Sequence, residues 1–473
     1  MDLFLGIDLG TTYFKAGLFD ENGKLQGFGR QFVKKGTDDN IKCELSIQSF
    51  WSTLSSAIAQ AISAAQADRR NIRAVSYSSQ ANTFLLLDKH NKPLTPLILW
   101  TDKRAGDLSQ GLTKDLSGKD WPARTGLESE VSAQLCISKL FWFRTHEPSL
   151  CQRIGSVMTM SDYLTASLTG QRVADCSTAS LLGILDIEKC QWSDEALQFS
   201  GLDTTYLSNL YRIGTPAGKL TQAGAGLVGL EPGTPFCVGG LDHHIAAVGA
   251  GVHRNNTVSE STGTVVAGVR YTRHYRPAPS VYIAPGLAEK EYFQMAFDEN
   301  GAGSLEWYHR KYAPEHTIAE LLDRASQIDF GSEGLIARPC AERYNDLEGF
   351  ENIKPFHQHA HFVRAILEST ACSLDNVVKK LTDVVKEESI IATGGGAMSK
   401  LWIEIKANML GRKFIIPEYS ESACLGAAML AATSVHRFDS LGQASEKWTR
   451  VKEIISPNPE YYMQYSRWFE QKA

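Results

Sequence analysis

The sequence predicts an α/β protein in which one structural unit occurs twice. Residues 50–66, "FWSTLSSAIAQAISAAQ", have helical spacing and residues 72–80, "IRAVSYSSQ", have the composition of a strand, so helix and strand alternate along the chain. Residues 4–24 and 255–271 each contain a strand, a turn of glycine and hydroxyl residues, and a returning strand. The length of 473 residues exceeds what one core normally organises, so we expect two large lobes.

The composition is that of an ordinary globular protein, with 43% apolar and 21% charged residues. A net charge of −5 without a dense basic run argues against nucleic-acid binding. The first residues lack the basic region of a secretion signal, and no apolar run approaches the roughly 20 residues that span a bilayer. The nine cysteines are dispersed without a CxxC pair, which is typical of reduced thiols. We therefore expect a cytoplasmic protein without a membrane or nucleic-acid partner.

The first segment, "FLGIDLGTTYFKAGLFDENGK", predicts two strands joined by the loop Gly10, Thr11 and Thr12. An ordinary hairpin explains most of this pattern. It does not explain Asp8, an acid at the end of a buried strand beside a loop whose N–H groups and hydroxyls suit an anion. A carboxylate next to an anion site usually needs a cation between them, so the segment raises the hypothesis of a nucleotide with Mg²⁺.

Further along, "TPFCVGGLDHHIAAVGAG" predicts a strand, two glycines, and Asp242 at the start of a helix. Asp242 is either a helix N-cap, a frequent use of Asp, or a reactive carboxylate, and one residue can serve both purposes. The following "NNTVSESTGTVVAGVRY" repeats the opening pattern with the turn Thr262, Gly263 and Thr264. We expect the two turns to bind one polyphosphate from opposite lobes.

A third glycine segment, "SIIATGGGAMSKLWIEIKANMLG", predicts a strand that runs into Gly394, Gly395 and Gly396, with a helix from about Ser399. Glycines permit close approach of the backbone to a flat ligand such as a purine and its ribose. The alternative is a plain strand-to-helix turn.

At this point the sequence resembles the FGGY carbohydrate kinases. The resemblance runs from Leu3 to about Ala432 and is carried by "GIDLGTTYFKAGLFD", "PLILWTDKRA", "KLFWF", "DYLTASLTG", "GGLDHHIAAVGAG", "STGTV", "FVRAILE" and "TGGGAMSKLWIEIKANMLG". It implies the duplicated actin-like, ribonuclease-H-like fold, with lobes at residues 1–245 and 246–473 around a central cleft. It also implies MgATP-dependent phosphorylation of a sugar or polyol hydroxyl, and dimers are common in that family, so a homodimer is compatible with it.

The resemblance assigns roles to the residues that the patterns single out. Asp242 is expected to be the base that accepts the proton of the hydroxyl, and Asp8 to hold Mg²⁺ through water. The residues expected to contact ATP are Gly10, Thr11, Thr12, Thr262, Gly263 and Thr264 at the phosphates, and Gly394, Gly395, Gly396 and Ser399 at the adenosine.

For the acceptor we expect polar residues at loop ends, because a sugar site must match hydroxyls with hydrogen-bonding groups. The candidates are Gln80, Asn82, Trp100, Asp102, Arg104 and His243. Each has a plainer alternative: Asp102 and Arg104 can pair with each other, and Trp100 can be a core residue. Lys15 is expected to face solvent or to pack its stem. Of His243 and His244, one is expected to face the cleft and the other to pack or to be hydrated.

The acceptor segments depart from the patterns of known family members. Glycerol kinases carry Arg-Glu and xylulose kinases Met-His-Gly at the place of Ala81, Asn82 and Thr83, and xylulose kinases have Asn at the place of His243. The substrate is therefore open, with a ketose or open-chain polyol favoured over glycerol. The alternative function is a non-catalytic ATP-driven clamp or sugar sensor of the same superfamily.

Overall fold

The computed structural model describes residues 1–38, 41–117, 120–127, 131–253, 257–381 and 389–470. They form two compact units that interleave along the chain. Unit 1 consists of Met1–Asn255, Tyr271–Gln294 and Glu421–Thr449, and unit 2 of Asn256–Arg270, Met295–Ser420 and Arg450–Ala473. The lobes at residues 1–245 and 246–473 stay a prediction.

The strands are short to medium in length and are numbered in chain order. They are β1 (Leu3–Leu9), β2 (Tyr13–Asp20), β3 (Leu25–Phe32), β4 (Gly36–Asp38), β5 (Lys42–Leu45), β6 (Ile72–Ser79), β7 (Phe84–Leu87), β8 (Leu97–Ile98), β9 (Ser156–Thr159), β10 (Val173–Asp175), β11 (Leu185–Asp186), β12 (Gln191–Trp192), β13 (Asn209–Tyr211), β14 (Pro216–Lys219), β15 (Pro235–Cys237), β16 (Gly240–Leu241), β17 (Thr257–Thr262), β18 (Val266–Thr272), β19 (Tyr282–Pro285), β20 (Tyr292–Asp298), β21 (Ile336–Ala337), β22 (Phe350–Glu351), β23 (Ser389–Thr393), β24 (Lys413–Pro417) and β25 (Val451–Ile455).

The α-helices are numbered in the same way. They are α1 (Ile47–Ala65), α2 (Gly106–Ser117), α3 (Trp121–Thr125), α4 (Cys136–His146), α5 (Pro148–Cys151), α6 (Met160–Thr169), α7 (Cys176–Ala179), α8 (Asp194–Leu197), α9 (Gln222–Val228), α10 (Asp242–Gly249), α11 (Gly303–Tyr312), α12 (Ile318–Ala325), α13 (His359–Leu381), α14 (Lys400–Leu410), α15 (Ser422–Ser434), α16 (Leu441–Trp448) and α17 (Pro459–Glu470).

The first large sheet has the order β14-β15-β6-β1-β2-β3, and β16 also pairs with β6. β1 is antiparallel to β2 and parallel to β6, and β6 is parallel to β16. Because the carboxyl ends of parallel strands meet at one edge of a sheet, the residues that follow β1, β6 and β16 lie close together. The predicted strand and helix around residues 50–80 are confirmed as β6 and α1.

Both faces of this sheet are covered, which explains why β1 is buried along its whole length. α1 packs against β2 and β3, and α15 against β1 and β6. The approach of α15 requires glycine: a Cβ at Gly6 would lie 1.9 Å from the carbonyl oxygen of Cys424. α15 also packs closely on α10, where a Cβ at Gly249 would lie 1.9 Å from the oxygen of Ser422. These contacts hold the helix that begins with Asp242.

The second large sheet has the order β19-β20-β18-β17-β23-β24-β25. β17 is parallel to β23, with Glu260 opposite Ala392 and Ser261 opposite Thr393. The loop after β17 and the glycine turn after β23 therefore lie side by side. In both large sheets, a strand that ends at a glycine and hydroxyl loop stands between its returning strand and a parallel strand, so the predicted duplication is confirmed. Among the described helices none combines the length and the apolar character needed to cross a bilayer.

Candidate active site

Asp8 lies at the edge of the first sheet where β1, β6 and β16 end. Its Oδ1 accepts a hydrogen bond of 3.0 Å from the hydroxyl of Ser78, its neighbour in β6, and Ser78 in turn stands opposite Gly240 of β16. The residue is only 7% exposed. Burial raises the pKa of Asp8 to about 6; Lys15 and the Ser78 hydrogen bond oppose this effect, and the charges of Asp242 and Glu421 add to it.

Lys15 lies on the half-buried face of β2, as strand alternation from Tyr13 suggests. Its Nζ lies 2.8 Å from Oε2 of Glu421 and 3.8 Å from Oδ2 of Asp8, and its side chain is 25% exposed. The side chain is therefore mostly packed, which is one of the two alternatives expected for it, and the sequence reasoning missed the ion pairs of its ammonium group. Asp8 and Lys15 stand directly opposite in the β1–β2 ladder, and cross-strand partners lie on the same face. The register of the β1–β2 hairpin is therefore the feature that could have predicted the pairing of Asp8 with Lys15 from the sequence.

Asp242 is the first residue of α10, and Leu241 occupies the N-cap position. Oδ1 of Asp242 accepts a hydrogen bond of 2.8 Å from the backbone N–H of His243. The side chain is half-buried. Asp242 therefore lies in the first turn of the helix, with part of its side chain accessible.

The two histidines that follow Asp242 differ in environment. His244 is 1% exposed, its Nδ1 lies 2.8 Å from the hydroxyl of Ser177, and its ring stacks on Phe293 with 4.6 Å between ring centres. Burial lowers the pKa of His244 to about 3, with His243 adding to the effect, so the ring is neutral at pH 7. His243 is half-buried. The packed member of the pair is therefore His244.

The loop Gly10, Thr11 and Thr12 lies beside predicted acceptor residues. The indole N–H of Trp100 donates a hydrogen bond of 2.8 Å to Oγ1 of Thr11. The amide of Gln80 donates to the carbonyl oxygen of Gly10 at 3.2 Å and accepts from the hydroxyl of Thr83 at 3.0 Å. Gln80 thus braces the loop with hydrogen bonds inside the protein, and its contact with an acceptor stays a prediction.

Asn82 and Trp100 are both held by α4. Oδ1 of Asn82 accepts a hydrogen bond of 2.9 Å from the backbone N–H of Cys136, the first residue of that helix. Nζ of Lys139 donates to the carbonyl oxygens of Leu99 and Trp100 at 2.9 and 3.2 Å. Burial lowers the pKa of Lys139 to about 8. The sequence reasoning missed Lys139, although a lysine inside the apolar run "CISKLFWF" signals a buried cation with a specific partner.

Asp102 and Arg104 pair with each other, as the plainer alternative for them predicted. Nε of Arg104 lies 2.8 Å from Oδ1 of Asp102, and its Nη2 also donates to Glu44. The guanidinium is near the rings of Trp142 and Phe143, each 5.3 Å away. Burial alone would raise the pKa of Asp102, but the hydrogen bonds from Arg104 and from the Cys43 N–H outweigh it and lower that pKa.

In unit 2, the turn after β17 has a buried start and an exposed tip. Thr262 is 0% exposed, whereas Gly263 and Thr264 are exposed. The hydroxyl of Thr262 donates to Oε2 of Glu260 at 2.8 Å and accepts from Nζ of Lys406 at 2.7 Å. This hydroxyl is therefore occupied within the protein. The backbone of Gly263 has partners as well, since its N–H donates to the carbonyl oxygen of Val265 at 3.0 Å and its carbonyl oxygen accepts from the N–H of Ala302 at 2.7 Å. The sequence reasoning missed Glu260 and Lys406.

The glycine turn after β23 packs against Thr262. Gly394 has a φ of +74°, which favours glycine, and a Cβ there would lie 2.7 Å from Oγ of Ser261. Gly394 and Gly395 are exposed and Gly396 is buried. Ser399 is the N-cap of α14, since its hydroxyl accepts a hydrogen bond of 3.3 Å from the N–H of Trp402.

A divalent cation fits the donor set at Asp8. The two carboxylates of Asp8 and Asp242 are close enough for the charge of one to raise the pKa of the other. Among the described residues, no group of three or more His, Cys, Asp and Glu side chains could hold a metal by protein ligands alone. Mg²⁺ usually keeps several waters and takes one or two carboxylates together with substrate phosphates, so the set suits that ion.

The chain matches both domains of one known protein family and is similar to several kinases. Residues 3–249 match the N-terminal domain of the FGGY family of carbohydrate kinases, and residues 340–435 match its C-terminal domain. A probable L-xylulose kinase from Pasteurella multocida is 28% identical over 480 residues, covering 98% of this chain and 96% of that protein. A gluconokinase from Bacillus subtilis is 26% identical, covering 93% and 89%.

Among solved structures, xylulose kinase from Lactobacillus acidophilus matches with a TM-score of 0.90 at 21% identity, covering 100% of this chain and 97% of that one. This likeness shows the two-domain actin-like ATPase fold.

Proposed function

Because the chain belongs to the FGGY family of carbohydrate kinases, which phosphorylate a hydroxyl of a sugar or polyol with ATP, we propose that Asp242 is its catalytic base and that Asp8 holds Mg²⁺. One observation carries this proposal: the strand ends of β1 and β16 bring two carboxylates to one edge of a sheet, where the charge of Asp242 raises the pKa of Asp8. An acid pair in different environments is a common basis for dividing roles between two carboxylates.

In the proposed reaction, Asp242 accepts the proton of the acceptor hydroxyl as that oxygen forms its bond to the γ-phosphorus of ATP. The bond from the γ-phosphorus to the bridging oxygen breaks, and ADP leaves with the electron pair. The half-buried position of Asp242 at the first turn of α10 leaves its carboxylate accessible to substrate. Mg²⁺, when bound, supplies neutralisation of charge on the phosphates.

Both units contain loops that are proposed to contact ATP. In unit 1, Gly10, Thr11 and Thr12 offer backbone N–H groups beside Asp8, braced by Gln80 and Trp100. In unit 2, Gly263 and Thr264 form the exposed tip of the turn, and a Cβ at Gly263 would meet no atom within 4 Å. Gly394, Gly395 and Ser399 remain the proposed adenosine side.

We propose a neutral ketose or polyol as the acceptor rather than an aldonate. The relatives differ on this point, since one is named for L-xylulose and another for gluconate, which carries a carboxylate. The cationic side chains of the candidate acceptor region already have partners: Lys15 pairs with Glu421, Arg104 pairs with Asp102 and Glu44, and Lys139 donates to backbone carbonyls. A carboxylate ligand would bring an additional negative charge to this region, which already contains Asp8 and Asp242.

The experiment is a panel of acceptors with MgATP, in which ADP release is measured with pentuloses, hexuloses, aldoses, polyols, glycerol and gluconate. We expect turnover with a neutral ketose or polyol and none above background with gluconate. Preference for gluconate would contradict the neutral-acceptor proposal but not the kinase reaction. Binding of ATP without turnover on any member would favour a clamp or sensor. A cytoplasmic location and a homodimer stay predictions; sedimentation of the purified protein tests the second.

A further inference from the structure

Beneath the nucleotide loops of unit 2 lies a group of side chains that the proposed reaction does not use. Glu260, Thr262 and Lys406, here called the Lys406 cluster, form a closed triangle of hydrogen bonds. Nζ of Lys406 lies 2.8 Å from Oε1 of Glu260 and 2.7 Å from Oγ1 of Thr262, and the hydroxyl of Thr262 donates to Oε2 of Glu260 at 2.8 Å. The side chains of Lys406 and Glu260 are 0% exposed.

The Lys406 cluster joins the three elements that shape the two loops. Glu260 and Thr262 belong to the end of β17, and Lys406 to α14, the helix that follows the glycine turn. The hydroxyl of Thr393, the last residue of β23, donates 2.8 Å to the backbone oxygen of Glu260. A Cβ at Gly396 would lie 2.7 Å from Cβ of Thr262 and 3.5 Å from Nζ of Lys406. The glycine turn therefore packs directly on the cluster.

The chemistry of the cluster favours a role in geometry over one in binding. Burial lowers the pKa of Lys406, and the adjacent Glu260 counteracts this. The ammonium has no exposed surface, so it cannot contact a ligand in this conformation. Instead, Thr262 needs both functions of its hydroxyl, donor and acceptor, to satisfy both charged neighbours. Because Gly263 and Thr264 follow Thr262 directly in the chain, the position of Thr262 also determines the position of these two exposed residues.

We propose that Glu260 and Lys406 are positioning residues that hold Thr262, and through it the Thr262–Thr264 loop and the Gly394–Gly396 turn, in the arrangement that binds the nucleoside triphosphate. The inference rests on the proposed function, because it assumes that these two loops bind ATP. It adds two residues that contact no substrate and act through the backbone of the loops.

Unit 2 contains a matched control for this proposal. Arg364, Glu368 and Tyr465 form a second buried triangle of a cation, a carboxylate and a hydroxyl, with distances of 2.9 Å for Arg364 to Glu368, 3.0 Å for Arg364 to Tyr465 and 2.7 Å for Tyr465 to Glu368. Its further hydrogen bonds go to Ile328, Gly331 and Ser332, which are outside the two loops. Loss of its cation should destabilise the fold without moving the nucleotide loops.

The test compares Lys406→Met, Thr262→Val, Thr262→Ser and Arg364→Met with the wild-type protein. For each, the melting temperature, the Kd for ADP by calorimetry, and kcat and KM for MgATP and for the acceptor are measured well below the melting temperature. We expect Lys406→Met and Thr262→Val to raise the ADP Kd and the KM for MgATP by about tenfold, the effect of one lost charge-assisted hydrogen bond. Thr262→Ser keeps both hydroxyl functions and should match the wild type.

Arg364→Met should lower the melting temperature as Lys406→Met does, but leave the KM for MgATP within about twofold of wild type. Folded Lys406→Met and Thr262→Val proteins with unchanged ADP Kd and KM would overturn the proposal. An equal rise of KM in Arg364→Met would also overturn it, because the effect would then be general loosening. If Lys406→Met does not fold, Thr262→Val decides, since it retains the Glu260 to Lys406 pair. A wild-type protein that binds no nucleotide would contradict the proposed function itself.

Discussion

The two glycine and hydroxyl loops share a sequence pattern but use it differently. In the first loop an acid, Asp8, stands two residues before Gly10; in the second, Glu260 stands two residues before Thr262. Asp8 has a lysine, Lys15, 3.8 Å away, and its pKa is raised to about 6. Glu260 has a lysine in direct contact at 2.8 Å and no exposed side-chain surface.

The two acids therefore differ in their capacity to accept a further cation: among the described residues Asp8 has no cation in direct contact, whereas Glu260 is already paired with Lys406. A buried carboxylate whose lysine neighbour is 3.8 Å away and is shared with a second acid is less well stabilised in its charged form than one in direct contact, so a metal ion that approaches it gains a favourable partner. A carboxylate that is already neutralised by a buried lysine gains little from such an ion. The same local pattern is therefore compatible with the proposed metal site in unit 1 and with the proposed positioning role in unit 2.

The largest expected effect is that of a substitution at Asp242, because this acid of unit 1 is the proposed catalytic base. Asp242→Asn removes the proton acceptor but keeps the size of the side chain. We expect kcat to fall by about 10² to 10⁴, the usual contribution of a general base, with little change in ADP binding. Coupled turnover assays and calorimetry measure the two quantities. Full turnover in this variant would remove the base from the proposed reaction.

The second prediction compares the two lysines by stability. Lys406→Met leaves Glu260 buried without its cation, which should lower the free energy of unfolding by about 3–5 kcal/mol. Lys15→Met removes an ion pair from a side chain that is 25% exposed, so we expect a loss of about 1 kcal/mol or less. Urea denaturation of both variants gives the values. Equal losses in free energy of unfolding would mean that the two lysines contribute equally to stability, which would contradict the proposed difference between Glu260 and Asp8.

The third prediction contrasts the two acids in their need for magnesium. Asp8→Asn should raise the Mg²⁺ concentration required for half-maximal turnover by about 10- to 100-fold, because a carboxylate that holds the hydrated ion is lost. Glu260→Gln is the matched variant in unit 2 and should leave that concentration unchanged, whatever its effect on the KM for ATP. An unchanged magnesium requirement in Asp8→Asn would exclude the proposed role of Asp8.

The sequence predicted the repeated elements well because their signals are local. The apolar runs of β1 and β6, the helical spacing of α1 and the glycines after β17 and β23 each reflect backbone requirements within a few residues. Most of the secondary structure that positions the site therefore follows from the sequence.

Partners that are distant in sequence could not be predicted in the same way. Lys406 and Glu260 are 146 residues apart, and Lys15 and Glu421 are 406 apart, so no local pattern links them. The sequence marks such residues only as charges inside apolar stretches. Strand alternation places Lys15 on the half-buried face of β2 but does not identify the acids that its ammonium group contacts.

The smallest expected effect concerns Asp162, a buried acid of unit 1 that is outside the proposed reaction. It is 4% exposed and accepts a hydrogen bond from the hydroxyl of Thr159. Burial raises the pKa of Asp162 to about 7; the Thr159 hydrogen bond opposes this and Asp175 adds to it. The folded protein therefore binds this proton more tightly than the unfolded chain does. The resulting stabilisation is present at low pH and declines as the pH rises from about 4 to about 7.

Asp162→Asn should remove this dependence. Relative to the wild type, the variant should gain about 1 kcal/mol in free energy of unfolding between pH 6 and pH 8. Urea titrations of both proteins at the two pH values measure the difference, and kcat should be unaffected. A variant that loses stability relative to wild type as the pH rises would show that Asp162 is stabilised in its charged form. The distinction between acids with and without a direct cation would then not hold within unit 1.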